Sequence, residues 1–399
     1  MDRSFARAIE FAADLIRIPS VSGSEGAVAE RVLEELRELG FDEAWIDEVG
    51  NVIGRISGTA GGPTVMLSSH LDVVDAGDAA GWEFDPYGGI VADGYLHGRG
   101  AMDIKGPLAI QTYAAARFVD ERPEGDVVVA HTVFEERGGW GMQHLLEARE
   151  VRPDVVIIGE STSGDICIGH RGRAEIMVEV GGMAGHASAP ERAVNPLYSI
   201  GSVLDAIRSF VDGLDVDPVL GAATIAPTEV RTFPASRNVI PDQAIITVDW
   251  RVLPGWTAER ATAALDAFLR ENARLEDGCS LTVQMSAERQ RSFTGQSHDS
   301  QLFSPGFLLP VDHPVAVAGA RAAEPYLGRR PEIRPWAFAT DGGHTCGIHG
   351  IPTIGFAPGQ EHFAHTNRER LDLAEAERIF AAYPPVISAV QHGASQSGA

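Results

Sequence analysis

The chain has 399 residues, and its 32 basic against 56 acidic side chains give a formal net charge of −24 at pH 7. Because nucleic acids and anionic membranes are themselves negative, this acidity argues against either as a partner. The length suits two or three domains, and 44% hydrophobic residues are enough for a proper core. No apolar run approaches the roughly 18 residues of a membrane span, and the first residues lack the apolar segment of a secretory signal. We therefore expect a cytoplasmic protein.

Cysteine usage narrows the kind of metal site that the chain can build. Its three cysteines are few and widely spaced, at Cys167, Cys279 and Cys346. This argues against a disulfide framework and against a thiolate zinc cluster. Any metal must therefore bind to histidines and carboxylates.

Helix and strand patterns alternate in the first part of the chain. Residues 27–39 carry apolar side chains at three- and four-residue spacings and are followed by Gly40, which predicts a helix that ends at a glycine. Three nearly continuous apolar runs are typical of strands buried on both faces: residues 64–70, 126–135 and 154–160. Together they predict an α/β sheet.

Each of these runs ends in a side chain that can bind a metal or carry a proton. His70 ends the first run, Glu135 and Glu136 end the second, and Glu160 ends the third. Ligands of open α/β sheets gather at the carboxyl ends of the strands. We therefore expect these side chains to face one crevice.

From about residue 171 the pattern changes to β-α-β-β-α-β, an order that recurs as a compact motif of its own. The predicted elements are strand 173–180, helix 195–210, strands 222–232 and 243–253, helix 258–271 and strand 280–286. We expect an α+β domain at residues 171–290 that is inserted into a catalytic domain of residues 1–170 and 291–399.

The last part of the chain returns to an α/β pattern. It predicts a helix at 314–327, a strand at 351–356 and a closing helix at 373–392. The final seven residues, GASQSGA, are expected to fray. Residues 289–311 show no clear pattern, and so long a gap indicates a functional loop or a linker.

Two short motifs are candidates for metal binding. In His70-Leu-Asp72 the imidazole can bind a metal while the carboxylate lies on the same strand face and can orient the other ring nitrogen. Asp103 follows within the glycine-rich segment 98–106, just ahead of a helix pattern. Taken alone, His70 is better explained by a polar network at a strand end, and Asp103 by helix capping.

The pair Glu135-Glu136 is more informative. Two adjacent carboxylates at the end of an apolar strand must repel each other or share a cation. One can bind a metal while the other accepts a proton from a water whose pKa the metal lowers towards about 7. The alternative is a pair of surface glutamates at a strand exit.

Glu160 and His365 extend the set of candidate ligands. Five nitrogen and oxygen ligands without sulfur fit a two-metal centre that is bridged by one carboxylate. Zinc is the first choice for this centre, with cobalt or manganese as alternatives.

Six motifs together resemble the M20 co-catalytic metallohydrolases in their order and approximate spacing. That family includes acetylornithine deacetylase, succinyl-diaminopimelate desuccinylase, aminoacylases, carboxypeptidases and dipeptidases. The resemblance spans nearly the whole chain and rests on His70-Leu-Asp72, Gly98-Arg-Gly-Ala-Met-Asp103, Glu135-Glu136, Gly159-Glu160, Gly185-His186 and Ala364-His365. It implies a mixed-sheet α/β metallohydrolase domain with an inserted α+β lid and dimerisation domain, and a homodimer formed through that lid.

The resemblance also implies a role for each residue of the centre. Glu135 would be the general base and acid, and Asp72 would support His70. The two metals would share Asp103, and their other ligands would be His70 and Glu160 for one, Glu136 and His365 for the other. A glutamate at position 160 resembles the desuccinylase and deacetylase branch.

The inserted domain contributes three further candidates. His186 resembles the family histidine that reaches across the dimer to stabilise the oxyanion, a bond that an imidazole can donate. Asn238 and Arg251 resemble the polar lid residues that hold the substrate, and an arginine can grip a carboxylate with two parallel bonds. Without the resemblance, His186 is explained as a histidine at a turn and Arg251 as a solvated strand residue.

The expected activity is hydrolysis of an amide bond in a small N-acyl amino acid or related carboxylate substrate. One alternative is a dipeptidase or carboxypeptidase that uses the same dinuclear centre. Another alternative is a catalytically silent metal-binding or dimer scaffold. Glu135 argues against it, because a pure binding site needs no unligated base. His344 and the loop at residues 296–309 have no role that the family transfers.

Overall fold

The computed structural model describes residues 3–149 and 151–397. It divides the chain into two compact units. The first unit comprises Met1–His170, Arg289–His298 and Leu308–Ala399, and the second comprises Arg171–Glu288 and Asp299–Phe307. None of the helices in the described part of the chain is both long and apolar enough to cross a membrane.

The first unit is built on a mixed eight-stranded sheet. In spatial order its strands are Glu43–Ile46, Val52–Ile56, Gly125–Thr132, Gly62–His70, Val155–Ile158, Thr353–Gly355, Ile166–Cys167 and Ile333–Arg334. The central strand Gly62–His70 runs parallel to both of its neighbours, whereas the pairs at the Glu43–Ile46 side are antiparallel. A smaller sheet joins Arg370–Asp372, Tyr95–His97 and Ile90–Ala92.

The central strands are buried on both faces. In Gly62–His70 the consecutive residues Val65, Met66 and Leu67 are all fully buried, as the continuous apolar run predicts. Helix Lys105–Ala115 is buried along its whole length. The helices of this unit are Phe5–Ile16, Gly26–Leu39, Lys105–Ala115, Trp140–Ala148, Pro314–Leu327 and Leu373–Ser397.

The ends of two helices can be compared with the sequence expectation. Gly26–Leu39 ends at Gly40, which has a φ of 86°, as expected for the left-handed residue that closes a helix. The expected fraying after residue 392 is wrong within the described residues, because the last helix continues to Ser397. A Cβ on Gly393 would lie 3.2 Å from the carbonyl oxygen of Pro314, so this end of the helix packs closely against Pro314–Leu327. Residues 398 and 399 lie outside the described part.

The second unit has the β-α-β-β-α-β order that the sequence predicts. Its main antiparallel sheet orders the strands Thr224–Phe233, Gln243–Arg251, Arg173–Gly181 and Ser280–Met285, and Phe303–Ser304 also pairs with Arg173–Gly181. Its helices are Leu197–Phe210 and Ala258–Asn272, and two short pairs are Gly185–His186 with Val239–Ile240 and Val216–Asp217 with Gly221–Ala222. The helices cover a core that contains Trp250, Val248 and Leu265.

The sequence suggested a loop or a linker at residues 289–311, but the structure shows strands there. Ala287–Arg291 and Ser297–Gln301 pair as two strands. Their buried positions include Gln290 and Ser300, both polar. Apolar periodicity could not reveal strands whose inward side chains are polar.

Candidate metal centre and catalytic residues

Three strand ends bring the first candidate residues to one edge of the sheet. His70 is the last residue of Gly62–His70 and lies opposite Thr132 on the parallel neighbouring strand. Glu135 and Glu136 form a short turn just beyond Thr132. On the other side, Ser68 lies opposite Ile158, two residues before Glu160. Because these strands are parallel, their carboxyl ends coincide.

Asp103 lies between two histidines. Its Oδ1 is 3.3 Å from His70 Nε2, and its Oδ2 is 3.2 Å from His365 Nε2. Glu160 Oε1 lies 3.2 Å from His70 Nε2, and Glu136 Oε1 lies 3.1 Å from His365 Nε2. Within 3.3 Å, each histidine therefore meets one oxygen of Asp103 and one glutamate.

Glu135 lies beside this cluster at a greater distance, and its side chain is 14% exposed. Its Oε2 lies 3.9 Å from His70 Nε2. Two sets of potential ligand atoms lie within 4.8 Å of one another: His70, Asp103 and Glu136, and His70, Glu135 and Glu160. His70 belongs to both sets and is thus the centre of the cluster.

Asp72 supports the site differently from the sequence expectation. His70 Nδ1 donates to the main-chain carbonyl of Asp72 at 2.7 Å, while the Asp72 carboxylate is 3.7 Å from that nitrogen. The carboxylate instead accepts hydrogen bonds from the main-chain N–H groups of Glu135, at 3.1 Å, and Glu136, at 3.2 Å. It also accepts one from the hydroxyl of Ser22 at 2.6 Å. The carbonyl of Asp72 thus orients the imidazole, and its carboxylate orients the glutamate turn.

Glu369 is a buried site residue that sequence reasoning missed. Its Oε1 accepts the main-chain N–H groups of Met102 and Asp103, each at 3.1 Å, and its other oxygen pairs with Arg99. Asp103 is not the helix cap that a capping explanation requires, because Ile104 holds that position in the described chain. Glu369 fixes the backbone that carries Asp103.

The electrostatics of the cluster reflect buried carboxylates near two imidazoles. Burial, reinforced by Asp103, raises the pKa of Glu160 to about 7. Burial also raises the pKa of Glu135 well above its usual range, and the negative charges of Glu160 and Asp341 act in the same direction. Hydrogen bonding to Asp103 and then to Glu136 raises the pKa of His365 to about 10.

These residues fit divalent cations. Within residues 3–149 and 151–397, the carboxylates of Asp103, Glu135, Glu136 and Glu160 lie within 3.9 Å of a nitrogen of His70 or His365 but form no ion pair with an arginine or lysine. So much buried negative charge requires compensation. Because Nδ1 of His70 donates to a carbonyl, a neutral ring presents an unprotonated Nε2, and this buried atom lacks a hydrogen-bond partner in the described chain. Imidazole nitrogen and carboxylate oxygen suit Zn²⁺ and related metals.

The second unit brings two of its three candidates together. His186 pairs with Val239 across a short ladder, and the main-chain N–H of Ala187 donates to the carbonyl of Asn238 at 3.1 Å. The N–H of Ser188 donates to His186 Nδ1 at 3.1 Å, so a neutral His186 carries its proton on Nε2. The side chain of His186 is exposed, and its Nε2–H can therefore serve as a donor.

Arg251 lies apart from these two residues within the second unit. It ends strand Gln243–Arg251, whose other end lies beside the His186 segment. At about 3.3 Å per residue, that strand separates the two places by roughly 26 Å. Arg251 Nε donates to Asp249 at 2.8 Å, so its guanidinium is already partly engaged.

Comparison with known proteins gives a consistent result. The family model "Peptidase family M20/M25/M40" matches residues 66–388. The uncharacterised protein YgeY of Escherichia coli (strain K12) is 34% identical over 383 residues, covering 94% of this chain and 93% of the relative. Succinyl-diaminopimelate desuccinylase 2 of Ruegeria sp. (strain TM1040) is 32% identical over 352 residues, covering 84% of each protein.

A solved structure shows the same fold. The M20 family metallo-carboxypeptidase Sso-CP2 from Sulfolobus solfataricus matches with a TM-score of 0.76, covering 98% of this chain and all of that chain (100%). Its sequence identity is 16%, so this likeness concerns the fold alone. The expected mixed-sheet α/β architecture is confirmed. From the family match over most of its length and the relatives above 30% identity, we conclude that this chain belongs to peptidase family M20/M25/M40 and is a metallohydrolase.

Proposed function

We propose that this protein hydrolyses the amide bond of a small N-acyl amino acid or related carboxylate substrate with two divalent cations. A relative named for removing a succinyl group supports an N-acyl substrate. The observation that carries the proposal is Glu135, a mostly buried carboxylate 3.9 Å from His70 Nε2, farther than the carboxylates of Asp103 and Glu160. A carboxylate beside the ligands, but outside them, suits a general base.

The ligand assignment follows from the two oxygens of Asp103. Because they face different histidines, Asp103 would be shared by both cations. His70 and Glu160 would complete one position, and Glu136 and His365 the other. Zinc suits these donors best, and cobalt or manganese are the alternatives.

The chemistry divides between the cations and the chain. Bound cations lower the pKa of the attacking water towards about 7 and stabilise charge on the substrate carbonyl oxygen. Glu135 accepts the proton from the water and returns it to the leaving amine. Asp72 holds Glu135 in place for both transfers through the main-chain N–H of that residue.

The proposal includes a homodimer formed through the inserted domain of residues 171–290. Strand Thr224–Phe233 is an edge of its sheet among the described residues, and Val230 and Phe233 on it are exposed. An exposed edge strand is a template for pairing with a second copy. His186 would donate its Nε2–H to the oxyanion in the other protomer's active site, and Asn238 beside it would hold the substrate there. Arg251 lies roughly 26 Å away along strand Gln243–Arg251, too far to hold the same small substrate, which corrects the sequence expectation.

A complementation experiment tests this arrangement. His186→Ala and Glu135→Gln are each expected to be nearly inactive. If His186 acts across the dimer, a co-expressed 1:1 mixture recovers up to about a quarter of wild-type activity, because random pairing restores one site in half of the dimers. Light scattering on the same samples measures the oligomeric state. A mixture no more active than its components, or a fully active monomer, contradicts the trans role.

A substrate panel tests the reaction itself. We expect chelated protein to be inactive and zinc- or cobalt-reconstituted protein to cleave one class among N-acetyl, N-succinyl and N-carbamoyl amino acids. Chromatographic detection of the released amino acid measures this. Faster cleavage of plain dipeptides would instead assign the peptidase activity, and amide cleavage that survives complete metal removal would refute the mechanism.

A further inference from the structure

The turn that carries Glu135 and Glu136 has an unusual backbone. Phe134 precedes it with a φ of 57°, and Gly138 and Gly139 follow with φ values of 104° and 77°. A left-handed phenylalanine persists only where its surroundings hold it. The position of the two glutamates therefore depends on the contacts that stabilise this turn. Asp72 supplies one such contact through the N–H groups of both glutamates.

His344 forms a hydrogen bond with the opposite end of the turn. Its Nε2 lies 2.9 Å from the carbonyl oxygen of Gly138. A carbonyl can only accept, so Nε2 carries the proton and donates. The ring is 6% exposed, and its Nδ1 is buried without a hydrogen-bond partner among residues 3–149 and 151–397. The ring bond that His344 makes within the described part of the chain is thus directed at the glutamate turn.

Asp341 anchors the segment that presents His344. Asp341 Oδ2 accepts the hydroxyl of Thr132 at 2.8 Å, and Thr132 lies opposite His70 in the sheet. The main-chain N–H of His344 donates to the carbonyl of Asp341 at 3.0 Å, at the start of a π-helical turn, Gly343–Ile348. Such turns occur frequently at functional sites.

Gly139 shows how closely this segment meets the turn. A Cβ added there would lie 2.7 Å from His344 Nε2 and 2.8 Å from Asp341 Oδ1. Both distances are shorter than any ordinary carbon contact, so the imidazole and the carboxylate pack directly on the backbone of the turn. A residue with a side chain at position 139 would displace this contact.

We propose that His344 is a positioning residue that, through its Nε2–H bond to Gly138, holds Glu135 and Glu136 in register with the metal centre. This inference rests on the proposed function of Glu135 as base and Glu136 as ligand. His344 belongs to neither set of potential ligand atoms found among the described residues, and its protonated nitrogen faces a carbonyl. Its effect reaches the site through the backbone of residues 135–138.

Two substitutions of His344 distinguish the loss of its hydrogen-bond donor from the loss of its packing. His344→Gln is the conservative variant, because a glutamine side chain retains an N–H donor at a similar reach, whereas His344→Leu fills the space without a donor. His349→Leu is the matched control, because His349 is an exposed histidine at the end of the same π-helical turn. The readouts are kcat and KM, the visible absorption spectrum of the cobalt(II)-loaded protein, and the unfolding midpoint.

We expect His344→Leu to lower kcat about 10- to 100-fold, the usual cost of losing an outer support of a metal site, with KM nearly unchanged. Its cobalt spectrum should shift, because Glu136 lies on the loosened turn. His344→Gln should restore most of kcat and the wild-type spectrum, and His349→Leu should match wild type in all readouts.

The proposal is overturned if His344→Leu keeps the wild-type cobalt spectrum, or if the glutamine and leucine variants are equally impaired. An unchanged cobalt spectrum would show that His344 does not hold the glutamate turn. Equal impairment of the two variants would show that His344 acts by packing and not by donating a hydrogen bond. The cobalt spectrum needs no turnover, so a panel in which wild-type protein cleaves no amide would refute the proposed function without deciding the role of His344.

Discussion

Glu135→Gln is expected to lower kcat roughly 10²- to 10⁴-fold, the range for loss of a general acid–base group, while the protein keeps its full metal content. The amide has nearly the same size and still accepts hydrogen bonds, but it cannot take a proton from water. Metal should be retained because Glu135 is farther from His70 Nε2, at 3.9 Å, than the proposed ligands Asp103 and Glu160. Steady-state kinetics and elemental analysis of the same preparation measure both quantities.

The neighbouring residue provides the control for this experiment. Glu136→Gln changes the same chemical group on the same turn, but at a residue whose carboxylate meets His365 at 3.1 Å. It is expected to lose metal affinity together with activity. If Glu135→Gln loses a metal instead, Glu135 is a ligand, and if it keeps more than about a tenth of wild-type kcat, another group is the base.

The sequence predicts the sheet and the convergence of the strand ends for a physical reason. Parallel strands buried on both faces need continuous apolar runs, and the residues around Val65, Val127 and Val155 form such runs. A polar residue at the end of such a run must lie at the carboxyl edge of the sheet. His70 and Glu160 are therefore brought together by the same pattern that predicts the strands.

The supporting contacts could not be predicted in this way. Asp72 was expected to orient His70 with its carboxylate, but the adjacent carbonyl does so, because a choice between two oxygen acceptors depends on backbone geometry. Glu369 accepts a hydrogen bond from the main-chain N–H of Asp103, 266 positions away in the sequence. Nothing in the local pattern around Glu369 or His344 indicates these long-range partners, since each follows from how distant segments pack.

Asp103→Asn is expected to reduce bound metal from two equivalents towards one and to lower kcat roughly 10²- to 10³-fold, the usual effect of removing one group that stabilises developing charge. Asparagine keeps one oxygen but replaces the other with an NH₂ group that cannot bind a cation. In the structure the two Asp103 oxygens face His70 and His365 separately, at 3.3 and 3.2 Å. Losing one oxygen should therefore weaken one of the two positions.

Stability gives an independent measure of the same change. A ligand that binds only the folded state at about 100 times its Kd stabilises that state by roughly 2.7 kcal/mol, so two cations stabilise wild-type protein by about twice that amount. Asp103→Asn should retain about half of the zinc-dependent gain in the free energy of unfolding, measured by urea denaturation with and without zinc. Asp212→Asn, at an exposed carboxylate of the second unit, is the control and should retain all of it. A full zinc-dependent gain and two equivalents of metal in Asp103→Asn would show that Asp103 does not bridge the cations.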